Sequence, residues 1–230
     1  MEFFSALENV RVDVDRKHAI TRGTDTLYPV YIILYAHNSL VAKSIRRVTN
    51  EPYSHASISF DTSMQNIFTF GNKMVKISEL EYKRKIGAGR ESFLAKDAMW
   101  TYPKETPYEI YTVFITKENI VRMKKRVHEI FDNPEKYRFN IAGLIRYYLG
   151  LASESNSKMF CSQFVASLLA IGAVDLERLP SMYSPYELKD IRNVIFVERD
   201  ILKNYNRKKF DAHMDEICKE YSEQINMDAE

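Results

Sequence analysis

Pro29-Val30-Tyr31-Ile32-Ile33-Leu34-Tyr35-Ala36 contains the longest apolar stretch of this 230-residue chain. The stretch is rich in β-branched and aromatic residues and lacks the polar alternation of a half-exposed strand. It therefore predicts a central β-strand that is covered on both faces. Because it is far shorter than the ~20 apolar residues that cross a bilayer, we expect no membrane span.

The segments that follow this strand alternate between helix and strand patterns. Apolar residues at helical spacing predict a short amphipathic helix over 39–49, which ends before Pro52. Residues 55–61 alternate strictly, so Ala56, Ile58 and Phe60 are expected on one face and the polar residues on the other. Residues 61–65 resemble a turn, and 66–70 are predicted to return as a strand.

The rest of the chain contains more predicted helix. We expect a short strand at 74–77, a loop around Gly87-Ala88-Gly89 and a strand over 108–115. Thr116 is predicted to cap a helix that runs to about residue 132, and further helices are expected over 140–149 and 160–171. A helical turn at 187–192, a short edge strand at 194–197 and a charged helical tail complete the prediction. The predicted strands lie mainly in the first half of the chain and the predicted helices mainly in the second half. This order favours an α+β fold.

Three regions are predicted along the chain: an N-terminal extension (1–27), one domain (28–205) and a charged C-terminal tail (206–230). The composition, with 45% apolar residues and a net charge of +2, excludes a disordered chain and gives no sign of a nucleic-acid-binding face. The N-terminus lacks the pattern of a secretory signal, so a cytoplasmic location is expected. Two widely spaced cysteines predict neither a disulfide framework nor a metal site.

Cys161 is the first candidate for chemistry. Apolar residues at 164, 165, 168 and 169 define a buried helical stripe, and the cysteine lies in the first turn before it. The N-terminal end of a helix favours the thiolate, which is the nucleophilic form of cysteine. The same backbone N–H groups can stabilise an oxyanion. A cysteine that only packs in the core is the alternative.

His55 is the candidate base among five histidines. It begins a strand on the polar side of the alternating pattern, whereas His18, His128 and His213 are predicted at the surface. His37 follows the buried strand and fits either the start of a helix or a site. A histidine at the edge of a strand without a catalytic role is the alternative for His55.

A third group is needed to orient the imidazole of His55. If the turn is centred near Ser63, residue 57 pairs with residue 69, and Thr69 becomes the diagonal neighbour of His55 on the polar face. A slip of one residue would favour Asn66 instead. Asp61 has the correct parity but is expected about 20 Å away along the strand.

The sequence resembles a known family at three places in order. Tyr53-Ser54-His55-Ala56-Ser57-Ile58-Ser59-Phe60-Asp61, then Phe160-Cys161-Ser162-Gln163-Phe164-Val165 and Ser184-Pro185-Tyr186-Glu187-Leu188 are similar to motifs of the circularly permuted NlpC-type, papain-like enzymes. This group includes the YiiX-like amidases and, more remotely, the lecithin–retinol acyltransferases. The resemblance covers roughly residues 29–200.

The resemblance implies a half-barrel antiparallel sheet packed on the cysteine helix, acyl transfer without a cofactor, Cys161 as nucleophile and His55 as base. Where many relatives have an acidic or otherwise polar orienter on the strand after the histidine strand, this chain has Ile67-Phe68-Thr69-Phe70, which contains no carboxylate. Thr69 is the candidate for the third role, with Asn66 as the alternative. We expect a cysteine hydrolase that cleaves an amide in a peptide, an N-acyl amino acid or a lipid amide. An inactive binding module and a thiol-dependent acyltransferase are the alternatives.

Overall fold

The computed structural model describes residues 14–36, 40–64, 67–78, 81–91, 103–133 and 135–227. Its strands are β1 (Ile20–Arg22), β2 (Asp25–Tyr35), β3 (His55–Ser59), β4 (Ile67–Ser78), β5 (Glu81–Glu91), β6 (Pro107–Thr116), β7 (Arg138–Phe139), β8 (Lys158–Met159) and β9 (Ile195–Ile201). Its α-helices are α1 (Leu40–Thr49), α2 (Lys117–Asp132), α3 (Ile141–Tyr148), α4 (Cys161–Ile171) and α5 (Arg207–Met227). Short 3-10 turns lie at Pro180–Met182, Tyr186–Asp190 and Leu202–Asn204.

The main sheet is antiparallel and has the order β5-β4-β3-β2-β6-β9, with β1 added beside β2. Helices pack on both of its faces, so the predicted α+β class is confirmed. The predicted central strand is also confirmed, because β2 lies between β3 and β6 and every residue from Val30 to Tyr35 is fully buried.

Two apolar clusters form the core, one on each face of the sheet. Alternate residues of β2, Val30, Ile32 and Leu34, join a cluster that includes residues of α2 and α4. The intervening residues of β2 join a second cluster with Phe210 and Met214 of α5. The predicted C-terminal tail is therefore a helix that covers one face of the sheet, with both of these side chains fully buried.

The hairpin of β4 and β5 differs from the prediction. β4 continues past Gly71 to Ser78, and the expected loop at Gly87–Gly89 is instead part of β5, where Gly87 pairs with Gly71 and Gly89 with Thr69. The prediction was wrong because glycine weakens a strand by itself, and only pairing with a neighbouring strand stabilises this one.

The predicted helix starts are confirmed. Thr116 caps α2 by accepting a hydrogen bond from the backbone N–H of Asn119. Asn140 caps α3 through a 2.8 Å bond from the N–H of Gly143. α4 begins at Cys161, with Phe160 in the extended conformation before it. The cysteine is thus the first residue of its helix.

Candidate functional site

Helix α4 places the Cys161 thiol at one end of the sheet. The ring of Phe164, one turn after the cysteine, lies 5.9 Å from the ring of Phe70 on β4. The other end of α4 lies beside Ile115 on β6. A Cβ added to Gly172, which follows the last residue of the helix, would lie 3.1 Å from the Ile115 side chain. Ile115 pairs with Tyr28, near the start of β2, whereas Tyr35 at the end of β2 pairs with His55. The helix therefore starts at the end of the sheet where β3 begins, at His55.

The imidazole of His55 is bonded to Thr69. Thr69 Oγ1 lies 2.9 Å from His55 Nε2 and donates its own hydrogen to the carbonyl of Ala56 at 2.8 Å. A hydroxyl that donates to a carbonyl can only accept from the ring, so Nε2 carries a hydrogen. The tautomer that this bond selects has Nδ1 as the basic nitrogen. A hydroxyl on the adjacent strand thus fixes the ring, as the sequence predicted for Thr69.

The register behind this contact is also the predicted one. Ile58 pairs with Phe68, and Ser59 pairs with Ile67. The same register, continued by one residue, places Ser57 opposite Thr69. The alternative orienter, Asn66, lies outside the described residues, as does His37.

A second ring holds His55 from the neighbouring strand. The rings of Tyr35 and His55 are 5.0 Å apart, and the Tyr35 hydroxyl lies 2.7 Å from Ser57 Oγ. His55 therefore projects on the side of Tyr35, whereas Phe70 and most of α4 lie on the other side of the sheet. His55 is the first residue of β3, so its imidazole lies at the same end of the sheet as the Cys161 thiol. The two side chains do not lie on the same face of the sheet.

Cys161 is 7% exposed, and Tyr148 of α3 is near enough for the charges of the two groups to interact. Burial, together with smaller contributions from the charges of Cys161 and Glu51, raises the pKa of Tyr148 to about 12. The hydroxyl of Tyr148 is buried without a hydrogen-bond partner in the described part of the chain. A buried O–H that remains protonated beside a thiol is a donor available to a substrate.

Glu51 adds a carboxylate to the same region. Its Oε1 accepts a 2.7 Å hydrogen bond from Ser184 Oγ, while Oε2 is buried and has no hydrogen-bond partner among the residues described. Burial raises the pKa of this carboxyl, and the Ser184 bond lowers it only in part. Ser184 belongs to the third sequence motif, so that motif lies beside the cysteine region in the fold.

The third motif is an interlocked turn. The N–H of Ser184 donates to Glu187 Oε2, and the N–H of Glu187 donates back to Ser184 Oγ. Tyr147 of α3 and Arg178 also donate to the Glu187 carboxylate. This turn thus joins α3 to the loop that contains Glu51.

The sequence did not identify Tyr148 or Glu51 as site residues. Tyr148 lies 13 positions before Cys161 and Glu51 lies 110 before it, with no spacing pattern that links them. Only the docking of α3 and of the loop after α1 brings them together. A tyrosine within a short amphipathic helix carried no distinguishing pattern.

The prediction that His18 lies at the surface was wrong. His18 is 1% exposed, and its Nδ1 lies 2.8 Å from Asp15 Oδ2. Its Nε2 lies 3.3 Å from Asp215 on α5. His128 is exposed as predicted, and His213 is half-buried, 3.7 Å from Glu198.

Neither cysteine forms a disulfide. In the described ranges, no cluster of His, Cys, Asp or Glu has the arrangement of a metal site. Over the same ranges, no helix has the length and apolarity needed to cross a membrane.

Comparison with known proteins identified no relative: no family model, curated protein or solved structure matches the chain.

Proposed function

We propose that this protein is a cysteine hydrolase that cleaves an amide bond through an acyl-enzyme on Cys161, with a permuted papain-like, NlpC-type fold. One observation carries the proposal: the thiol is the first residue of a helix that starts at the end of the sheet where Thr69 holds the His55 ring. A helix N-terminus favours the thiolate, and an oriented imidazole provides the base.

The reaction would proceed by ordinary acyl transfer. His55 Nδ1 accepts the thiol proton around the start of β3, and Sγ attacks the amide carbonyl. The N–H of Cys161 and the hydroxyl of Tyr148 are the proposed donors to the oxyanion. The amine then leaves with the proton from His55. Water, deprotonated by His55, hydrolyses the thioester and releases the acid.

The proposed substrates are a small peptide, an N-acyl amino acid or a lipid amide. All three contain the amide carbonyl that the mechanism needs, and a buried donor and acceptor at Tyr148 and Glu51 suit an amide, which has both an acceptor and a donor. No cofactor is required by any step.

The test compares the alkylation rates of the two thiols of the chain, with Cys218 as the internal reference for Cys161. Burial raises the pKa of Cys218 to about 12, so its thiolate is scarce at neutral pH. We expect iodoacetamide to label Cys161 at least ~10-fold faster than Cys218 at neutral pH, as measured by peptide mass spectrometry. In His55→Gln, Cys161 labelling should slow and require more alkaline pH.

Equal labelling of the two cysteines, or a pH profile for Cys161 that is unchanged in His55→Gln, would contradict the proposal. A fast thiol that forms no acyl-enzyme with activated esters would instead indicate a binding module on the same fold. An acyl-enzyme that is resolved by an added amine and not by water would identify an acyltransferase.

A further inference from the structure

Helix α3 has an exposed apolar stripe on its outer side. Ile141, Ile145 and Leu149 recur every fourth residue and are 47%, 57% and 68% exposed. Leu151, which follows the helix, is 47% exposed. Residues four apart lie on one side of a helix, so these side chains form one continuous surface.

The exposed apolar side chains are clustered on this surface and are not distributed singly over the protein. Eight large apolar side chains are exposed in the described part of the chain. Five of the eight belong to this region: the four named above and, in addition, Leu179. Leu179 directly precedes the 3-10 turn at Pro180–Met182, which packs against α3. Exposed apolar residues that cluster in this way mark an interaction surface.

Positive charges border the stripe. Arg138 and Lys158 are exposed partners in the β7–β8 pair, and Arg138 precedes Ile141 by three residues. Arg146 on α3 is exposed and donates to the carbonyl of Ala152. Among the described ion pairs, none joins these three cations to a carboxylate. The surface is therefore apolar at its centre and cationic at its border.

We propose that this α3 surface (Ile141, Ile145, Leu149 and Leu151, with Arg138, Arg146 and Lys158) binds the surface of an anionic lipid bilayer. Apolar side chains of an amphipathic helix insert at the boundary between headgroups and acyl chains, while long basic side chains reach the phosphates. Unpaired cations beside the stripe complement anionic headgroups. Tyr148 follows Ile145 by three residues and Ile141 by seven, so it lies at the edge of this surface, and binding places the bilayer next to the region of Cys161.

The test measures co-sedimentation of the full chain with vesicles of phosphatidylcholine alone and of phosphatidylcholine mixed with phosphatidylglycerol. We expect binding to the anionic vesicles that weakens with added salt, and little binding to the neutral ones. The double variant Ile145→Ser/Leu149→Ser should lose at least ~10-fold in vesicle affinity. Both side chains are exposed, so the variant should fold normally, which a thermal melt checks.

Matched controls change exposed residues away from this surface. Val121→Ser on α2 and Phe196→Ser on β9 remove exposed apolar groups and should bind as the unchanged protein does. Arg138→Glu/Lys158→Glu should weaken binding to anionic vesicles, while Lys125→Glu on α2 should not.

Three outcomes would overturn the proposal: no binding to either vesicle, equal binding of the double variant, or equal binding to neutral and anionic vesicles. A dimer in solution that dissociates in Ile145→Ser/Leu149→Ser would also overturn it, because the surface would then be a contact between copies of the chain. Vesicle binding does not depend on turnover, so its failure is distinguishable from failure of the hydrolase proposal.

Discussion

The ring of His55 is held by groups from the strands on both of its sides. Thr69 on β4 bonds to Nε2, and Tyr35 on β2 packs against the ring. A hydroxyl in this position supports the tautomer but contributes no charge, unlike a carboxylate. The imidazolium is therefore stabilised less, and under the proposed mechanism we expect a moderate catalytic rate.

Thr69→Val removes the acceptor for His55 and keeps the size of the side chain. We expect labelling of Cys161 to slow about 10-fold near neutral pH, because the ring loses its preferred tautomer. Alkylation rates across a pH series would measure this. Thr69→Ser is the control and should keep most of the rate. If valine and serine behave alike, Thr69 does not orient the ring.

Tyr148→Phe removes a buried hydroxyl that has no described hydrogen-bond partner. No intramolecular bond is lost, so the melting temperature should stay the same or rise. If the hydroxyl donates to the oxyanion, acyl-enzyme formation with an activated ester should fall about 100-fold.

Tyr147→Phe is the matched control for Tyr148. Its hydroxyl donates to Glu187 at 2.9 Å, so its removal should cost about 1–2 kcal/mol in the free energy of unfolding. It should leave acyl-enzyme formation nearly unchanged. A drop in stability without a drop in rate for Tyr148→Phe would show that this tyrosine is structural.

At the scale of elements, helix boundaries were better predicted than strand boundaries. The caps of α2 and α3 are local, since Thr116 and Asn140 bond to residues three positions away. The extent of β4 and β5 depends on each other's backbone, which the sequence of either strand does not contain. The glycines of β5 therefore suggested a loop.

Gly143→Ala tests the local control of α3. Alanine is normally better than glycine in a helix by about 1 kcal/mol. Here an added Cβ would lie 2.1 Å from the side chain of Asn140, which caps the helix. Displacement of the cap should outweigh the propensity gain, so we expect a net loss of about 1 kcal/mol in urea denaturation.

The Asn140→Ala background provides the control for this substitution. With the cap already removed, Gly143→Ala should become neutral or stabilising, which is a clear non-additivity between neighbouring sites. A stabilising effect of Gly143→Ala in the unchanged protein would mean that the cap is not what constrains the position.

At the scale of the whole molecule, both termini of the described chain contribute to the side of the sheet that faces α5. Asp15 accepts hydrogen bonds from His18 and from the Tyr31 hydroxyl, the latter at 2.7 Å. Asp215 of α5 lies beside His18, and Cys218 donates to the His18 carbonyl. The regions predicted as an N-terminal extension and a tail thus contact each other in the structure.

Asp15→Asn tests this network through its pH dependence. Burial acts to raise the pKa of Asp15, but the hydrogen bonds from His18 and Tyr31 outweigh it and the pKa falls below its usual 3.8. A lowered folded-state pKa stabilises the fold above the unfolded value, and that stabilisation disappears as pH falls through the folded value. We expect Asp15→Asn to cost about 2 kcal/mol at pH 7.

The difference between Asp15→Asn and the unchanged protein should shrink as pH falls below about 3.8. Chemical denaturation at several pH values measures it, with the exposed Asp175→Asn as a control that should show no effect. A difference that is constant with pH would mean that the charge of Asp15 does not contribute.

The sequence alone determined the central strand, the main helices and the candidate nucleophile, but not the extent of β4 and β5. Hydrophobic periodicity and capping chemistry act over a few residues, so they identified β2, the start of α4 at Cys161 and the strand that begins at His55. The alternation of β3, with a turn centred near Ser63, favoured Thr69 as the neighbour of His55 and left Asn66 as the alternative, and the register of the folded sheet decided for Thr69.

The tertiary structure decided everything that depends on contacts between distant segments. It buried His18, covered the sheet with α5, and brought Tyr148 and Glu51 to the region of Cys161. It also left the apolar side of α3 exposed beside three cations. The physical reason is that burial and pairing are properties of the packed chain, in which Glu51 bonds to Ser184 across 133 positions, and no local pattern encodes such a contact.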